Sequence, residues 1–230
     1  MGEYQYYGFL AVDRPLGLAE QRAVRTLSTR AEITATTFAN EYHWGDFKGD
    51  PAELMSRYYD VHVHITDWGT HRVMLRLPGA VLALGAIAEY LVDDQVHAWA
   101  TGEFVVLDLT IESDPGDVDY DAEALLESLV QVREELAAGD FRPLYLAWLA
   151  AYGTWERNEN AFPTSADDEL EPPVPPDLHS LTTPQSALSA FLRLDPTLLT
   201  VASQPTTTPP RRRTVGTLLD TAAHHRTARL

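Results

Sequence analysis

The sequence predicts an α+β protein organised on an antiparallel sheet, and three observations carry that expectation. Residues 59–77 alternate apolar and polar side chains on both sides of Asp67-Trp68-Gly69, the pattern of two strands joined by a short loop. Leu18 to Leu27 has helical spacing and lies between two segments rich in β-branched and aromatic residues. Asp50-Pro51-Ala52-Glu53 opens a second helix, with Asp at the cap, Pro at the first position and Glu at the third. In the hairpin, a three-residue loop with Gly69 in the left-handed position pairs Thr66 with Thr70, Val63 with Val73 and Val61 with Leu75. All the aliphatic side chains then share one face, whereas a slip of one residue would mix Val with Arg. The same register sets His62 and His64 beside Arg72, Met74 and Arg76, and turns His71 to the opposite face.

Taken in order, Tyr4 to Val12 reads as a strand closed by Asp13-Arg14-Pro15, and the helix over Leu18 to Leu27 follows. Ile33 to Phe38 reads as a second strand and Asn40 to Trp44 as a third, closing on Gly45-Asp46. The Asp50 helix runs to about Tyr59 and leads into the hairpin. This βαββαβ order, plus one strand, is that of the ferredoxin-like split βαβ unit. Beyond Pro78 the sequence predicts a helix in Ala and Leu over Gly79 to Leu91. An extra hairpin about Gly102 joins Val96–Thr101 to Glu103–Ile111, with Phe104, Val106 and Asp108 on one face. Tyr120 to Ala138 reads as a long amphipathic helix (Leu125, Leu129, Val132, Leu136) stopped by Gly139. Leu144 to Tyr152 makes its aromatic-rich partner, and together they form an acidic helical hairpin appended to the sheet.

Residues 1–155 are therefore expected to form one α+β domain with a helical appendage. From 156 to 183 the composition turns acidic and proline-rich, through Asp167-Asp168-Glu169 and Glu171-Pro172-Pro173-Val174-Pro175-Pro176. So little apolar surface does not offset the entropy of ordering, so a linker is expected, part of it polyproline II. A short helical segment over 184–203 carries Leu188, Phe191 and Leu192. A second linker, 204–213, ends in Arg211-Arg212-Arg213, read as solvated, and Thr214 caps a C-terminal helix over 214–230. The whole C-terminal region is expected to be flexible.

Charge narrows the function. The net charge is −17, from 17 Lys and Arg against 34 Asp and Glu. The acidity is concentrated between Ile111 and Ser180, and a field of that sign repels phosphate backbones, so nucleic-acid binding is disfavoured. Without cysteine there is no disulfide, thiolate metal site or Cys nucleophile. The N-terminus lacks the basic-then-apolar order of a signal peptide, and the apolar run from Gly79 to Val92 is too short to span a bilayer. The expectation is a cytoplasmic protein without membrane insertion. Lys48 is the single lysine, Arg supplies the other cations, and Ala, Gly and Pro are plentiful, which points to GC-rich coding and a bacterial source.

One motif suggests chemistry. Asp60-Val61-His62-Val63-His64 resembles the Asp-x-His-x-His strand of the amidohydrolase superfamily. That resemblance implies a metal-dependent hydrolase with zinc held by His62 and His64. Residues two apart on a strand do point the same way and can share one metal. Against this alternative, Arg72 and Arg76 flank the pair, and only about 160 residues remain for a barrel that needs more. No third ligand converges either: His97 falls on another strand pair, His179 in the linker and His224-His225 at the tail. No metal and no cofactor are therefore expected. Asp46 reads as a turn residue and Asp50 as a cap, which leaves Asp60 without an acid–base partner. With no Gly-x-Ser-x-Gly and no phosphate loop, the sequence holds no coherent catalytic set and leans away from an enzyme.

Tyr4-Gln5-Tyr6-Tyr7-x-Phe9-Leu10-Ala11-x-Asp13-Arg14-Pro15-Leu16, followed by Asn40-Glu41-Tyr42-His43-Trp44-Gly45-Asp46-Phe47-x-Gly49-Asp50-Pro51, resembles the N-terminal region of a group of uncharacterised bacterial proteins. The resemblance extends through Thr214-Val215, leaves histidines 62 and 64 outside its pattern, and implies no activity. The residues themselves point to a protein-interaction or scaffold module. Aromatic residues are dense before residue 70, and both faces of the first strand are apolar or aromatic, as in a central strand covered on two sides. The candidate partner contacts are Val215, Leu218 and Leu219 on the last helix, with Trp44 and Trp68.

Overall fold

A computed structural model of the chain describes residues 4–115, 121–153, 168–204 and 212–227. β1 (Gln5–Leu10) is followed by α1 (Leu18–Arg25), β2 (Glu32–Ile33), β3 (Thr37–Tyr42) and α2 (Pro51–Arg57). Then come β4 (Val61–Thr66), β5 (Thr70–Pro78), α3 (Leu84–Ile87), β6 (Val96–Thr101) and β7 (Phe104–Glu112). Five helices complete the described chain: α4 (Ala122–Ala137), α5 (Arg142–Tyr152), α6 (Thr183–Phe191), α7 (Pro196–Ala202) and α8 (Val215–Thr227). The strands form one sheet in the order β2-β3-β1-β4-β5-β7-β6, and every neighbouring pair is antiparallel. Among the described residues, no helix is long and apolar enough to cross a membrane.

The β4–β5 hairpin has the register its alternation demands. Val61 faces Leu75, Val63 faces Val73, His62 faces Met74 and His64 faces Arg72. Gly69 closes the turn at φ +114, and a Cβ there would sit 1.8 Å from the Ser113 carbonyl oxygen. No other residue fits that position. β1 lies between β3 and β4 and is covered on both sides, with Tyr6 in one core and Phe9 in the other. Gly8 lets α4 approach closely, since a Cβ there would come within 2.8 Å of Leu126 Cδ1.

Two helix layers sandwich the sheet. On one face Val61, Val63, Ile65, Val73, Leu75, Leu107 and Leu109 pack against the apolar stripes of α4 and α5. α5 is buried from Pro143 to Tyr152, as a stretch apolar all round should be. On the other face Phe9, Phe38, Met74 and Val106 pack against Val24 of α1 and Leu54 and Met55 of α2. α2 starts as its sequence dictates, with the Asp50 carboxylate accepting from Ala52 N at 2.8 Å.

Three elements differ from the sequence expectation. The second strand is two residues long and the turn comes at residues 34–36, because the Thr34 hydroxyl accepts from the N–H groups of Thr36 and Thr37 and folds the backbone back. Gly79 to Leu91 forms only the four-residue α3 and a 3₁₀ turn over Ala88–Tyr90. Its backbone is used instead to turn, with Val81 N and Leu82 N both donating to Pro78 O, so that Leu82, Ile87 and Tyr90 reach the core. α7 was not expected as a separate helix, although Asp195-Pro196 repeats the Asp50-Pro51 start, with Asp195 accepting from Thr197 N at 2.7 Å.

The C-terminal region is packed wherever it is described, which corrects the flexible arrangement expected for it. Of the acidic stretch 156–183, residues 156–167 lie outside the described residues. The remainder lies against the helices: Glu171 is 1% exposed and Leu178 4%. The Glu171 carboxylate meets Arg213 Nε at 2.9 Å and Nη2 at 2.8 Å, and the Tyr145 hydroxyl donates to the same carboxylate. Arg213 is thus spent inside the fold, Arg212 pairs with Glu89, and Arg211 lies outside the described residues. Leu188, Phe191, Leu198, Val201, Val215 and Leu218 all join the core built on α4 and α5. Helices this short are marginal alone, and here tertiary burial stabilises them.

Asp60 is fully buried where β1 ends and β4 begins. One carboxylate oxygen accepts from Val12 N (2.7 Å) and Asp13 N (2.9 Å), and the other from Arg76 Nε (3.0 Å) and Nη2 (2.7 Å). Arg76 Nη1 reaches Met55 O in α2, while Arg133 of α4 donates to Arg76 O and to Asp13. Asp60→Ala would strand a buried guanidinium and two N–H groups. A loss of about 3–5 kcal/mol is expected in urea unfolding, a large share of a typical total of about 5–15. A loss below about 1 kcal/mol, the worth of an exposed pair, would show that the network does not hold the layers together.

Candidate functional site

The strand that carries the histidine motif divides its side chains between the two layers. Val61, Val63 and Ile65 enter the α4–α5 core, so His62 and His64 point to the other face. His62 is fully buried, and its Nδ1–H donates to the Gly8 carbonyl at 2.8 Å, which makes Nε2 the unprotonated nitrogen. Its ring stacks on Phe9 at 4.0 Å and that of His64 on Tyr7 at 4.1 Å. Both Nε2 atoms are buried without a hydrogen-bond partner among the described residues. Burial holds the His62 pKa well below the usual imidazole range, and burial together with Arg72 lowers that of His64 to about 4. His71, on the opposite face, packs 5.0 Å from Phe191 and is lowered by burial, then by Arg193, also to about 4.

His62 is thus fully enclosed in the aromatic stack, and His64 is half-buried beside it. The cations beside them are committed as well: Arg72 grips Asp108 through Nε at 2.8 Å and Nη2 at 2.7 Å, and Arg76 grips Asp60. Among the described residues no group of three or more His, Cys, Asp and Glu side chains converges on a metal position. His97 stacks on Trp99 at the sheet edge, His179 is exposed in a turn, and His224 bonds the Asp220 carbonyl within its own helix. The three aspartates considered for acid–base work hold structure. Asp46 accepts from Gln5, Asp50 caps α2 and Asp60 anchors the interior network.

The sites offered for partner contact divide into two groups. Val215 and Leu218 are 1% and 2% exposed, and Leu219 packs against the same core, so this face of α8 is used within the chain, chiefly against α7. That corrects the expectation of an open helix face: the apolar stripe is real, but its complement lies in the same molecule. Trp44 and Trp68 behave differently, at 76% and 40% exposed.

The sheet brings these two tryptophans to one end. Gln5 pairs with Tyr42 on one side and with Thr66 on the other, so Trp44 and Trp68 each lie two residues beyond a strand flanking the start of β1. Two strand spacings, about 10 Å, separate those neighbours. Both loops are pinned. Buried Gln5 donates to Gly45 O (3.1 Å) and Asp46 Oδ1 (2.9 Å), Tyr4 packs on His43 at 5.4 Å, and Asp67 N donates to Tyr4 O at 3.0 Å. On the far side Ser113 N donates to Gly69 O at 3.0 Å. Exposed Glu41, Asp46 and Glu112 rim the cluster with negative charge. The bracing role of Gln5 was not legible beforehand, because its partners lie forty residues away. Comparison with protein-family models, with curated proteins and with solved structures finds no match.

The buried histidines give stability a defined pH dependence. The folded state keeps His64 and His71 neutral down to about pH 4, whereas in the unfolded chain they take protons near pH 6.5. Between those values the unfolded state binds more protons, so stability is full above about pH 6.5 and falls as pH drops towards 4. His64→Gln should flatten that fall, as read from urea midpoints across the window. Superimposable slopes for the variant and the parent would show that His64 is not held neutral.

Proposed function

We propose that this chain is a non-enzymatic protein-interaction module that displays its partner-binding surface at the aromatic end of the sheet. The observation that carries this reading is the exposure of Trp44 and Trp68 on pinned loops at the same end. Tryptophan dominates binding energy where it is presented to a partner, and a braced side chain loses little entropy on docking. The acidic rim suits a partner bearing Arg or Lys, whose cations also stack favourably on indole faces. The scaffold beneath is read as a ferredoxin-like core. The order β2-β3-β1-β4 over the first four strands, with α1 and α2 in one core, supports that reading. The group that the N-terminal motifs resemble brings no activity to the argument. A cytoplasmic setting agrees with the acidic composition and with the absence, among the described residues, of any membrane-spanning helix.

A photo-crosslinking residue at Trp44 or Trp68, with Leu18 as a control about as exposed as Trp44 and more exposed than Trp68, tests this in cells that make the protein. A discrete protein adduct is expected from both tryptophan positions and not from Leu18. Once that partner is purified, Trp44→Ser and Trp68→Ser should each weaken binding by roughly thirtyfold, a loss of about 2 kcal/mol. Adducts of equal yield at all three positions, or none, would remove the basis for the assignment.

A further inference from the structure

The second partner surface that the structure assigns is the proline strap over 171–177. We propose that it docks a protein module whose groove is lined by aromatic side chains and rimmed by basic ones, of the kind that reads polyproline II helices. This does not rest on the tryptophan end of the sheet.

The strap conformation follows from sterics. Pro172, Pro173, Pro175 and Pro176 lock φ near −65°. Glu171, Pro172, Val174 and Pro175 each precede a proline and are driven towards extended or polyproline II geometry. Both ends are anchored. At one end Glu171 is buried on Arg213 and Tyr145, and its N–H donates to Arg213 O at 2.8 Å. At the other, Asp177 turns the chain at φ +59, Ser180 N donates to Asp177 O at 2.9 Å, and Leu178 is buried. The Tyr90 hydroxyl holds the middle by donating to Pro173 O at 2.7 Å.

Between its anchors the strap turns one face outward, with Pro172 buried and Pro175 half-buried on the other. Pro173 and Pro176 are exposed, and Val174 is 46% exposed. A cleft runs along each flank. One, of about 430 Å³, is lined by Tyr90, Phe141 and Arg142, and the other, of about 740 Å³, by Leu178, His179, Ala202 and Arg212. The walls of a proline-reading groove would enter these clefts. Among the described residues no hydrogen bond engages the carbonyls of Val174 or Pro176, so they remain for indole or phenol donors. The ordering cost that a free proline peptide meets on binding is largely met by the fold.

Charge selects the occupant. Asp168, Glu169 and Asp177 are exposed around the strap, the cleft arginines Arg142 and Arg212 are already paired with Asp140 and Glu89, and the chain as a whole carries −17. A second copy would meet like charge, whereas a groove with a basic rim meets its complement. The test titrates the full chain against a panel of purified SH3 and WW domains with basic-rimmed grooves, followed by calorimetry. At least one should bind saturably in the micromolar range and more weakly as salt is raised. Val174→Asp and Pro176→Ser, both at exposed positions, should each cost about tenfold or more with unchanged melting. Trp44→Ser should leave that affinity alone, which separates this surface from the sheet end. The proposal is overturned if no domain in the panel binds, or if binding survives both strap variants. Concentration-dependent self-association that the strap variants abolish would equally overturn it, by naming a second copy as the occupant.

Discussion

The arrangement of both helix layers depends on one buried charge. Asp60 is removed from water completely, and such a carboxylate is tolerated only when it is paired and its lone pairs are used. Every partner it recruits comes from a different part of the chain. The backbone leaving β1 supplies two N–H groups and β5 supplies Arg76, which bonds α2, while Arg133 brings α4 onto the same cluster. The guanidinium of Arg76 also lies over the Phe104 ring at 4.6 Å. Moving any one layer would expose or orphan a charge in the others, so the network acts as a registration device between elements far apart in sequence. It sits at the end of β1, since Asp60 N donates to Leu10 O. The displayed tryptophans flank the opposite end, about 20 Å away at the rise of an extended strand.

The same logic repeats in the C-terminal half. Glu171 and Arg213 form an ion pair of low exposure that Tyr145 completes, and it ties the chain on either side of α6 and α7 to the middle of α5. A proline-rich acidic stretch has too little apolar surface to fold on its own. Here it need not, because α4 and α5 already present a broad apolar face and the ion pair fixes where the strap crosses it. The result is that the C-terminal helices extend the core built on α4 and α5 and do not trail loose from the domain, wherever the chain is described.

What could be read from the sequence was what is local. Periodicity placed the β4–β5 pairing to the residue, since only one register keeps Val61, Val63 and Val73 together. Asp50-Pro51 announced a helix start through cap chemistry within a few residues. What could not be read was whatever depends on distant partners. Nothing near Glu171 in sequence reveals Arg213, and nothing near Arg211-Arg212-Arg213 reveals that two of the three arginines are spent on Glu89 and Glu171. The histidine motif misleads for a related reason. Spacing shows that His62 and His64 share a face, but not that Phe9 and Tyr7 lie against their rings. Asp60, the first residue of that motif, is structural.

The functional reading follows from what the fold uses and what it leaves over. In three ion pairs of low exposure the charges are matched: Asp60 by Arg76, Asp108 by Arg72 and Glu171 by Arg213. A catalytic site normally departs from such matching, with a group held away from its preferred charge state in contact with solvent. His62 is fully buried against aromatic rings and His64 half-buried, so their depressed proton affinity follows from burial and costs stability in acid. The departures from internal satisfaction lie on the outside. Trp44 is more exposed than any other large apolar side chain in the described residues, and Pro173, Val174 and Pro176 stand open on an anchored strap. Leaving such groups in water has a free-energy cost that folding does not recover, whereas docking to a partner would recover it. Both surfaces are anchored by hydrogen bonds beside their exposed side chains and carry acidic residues nearby, the features on which the proposed interaction role rests.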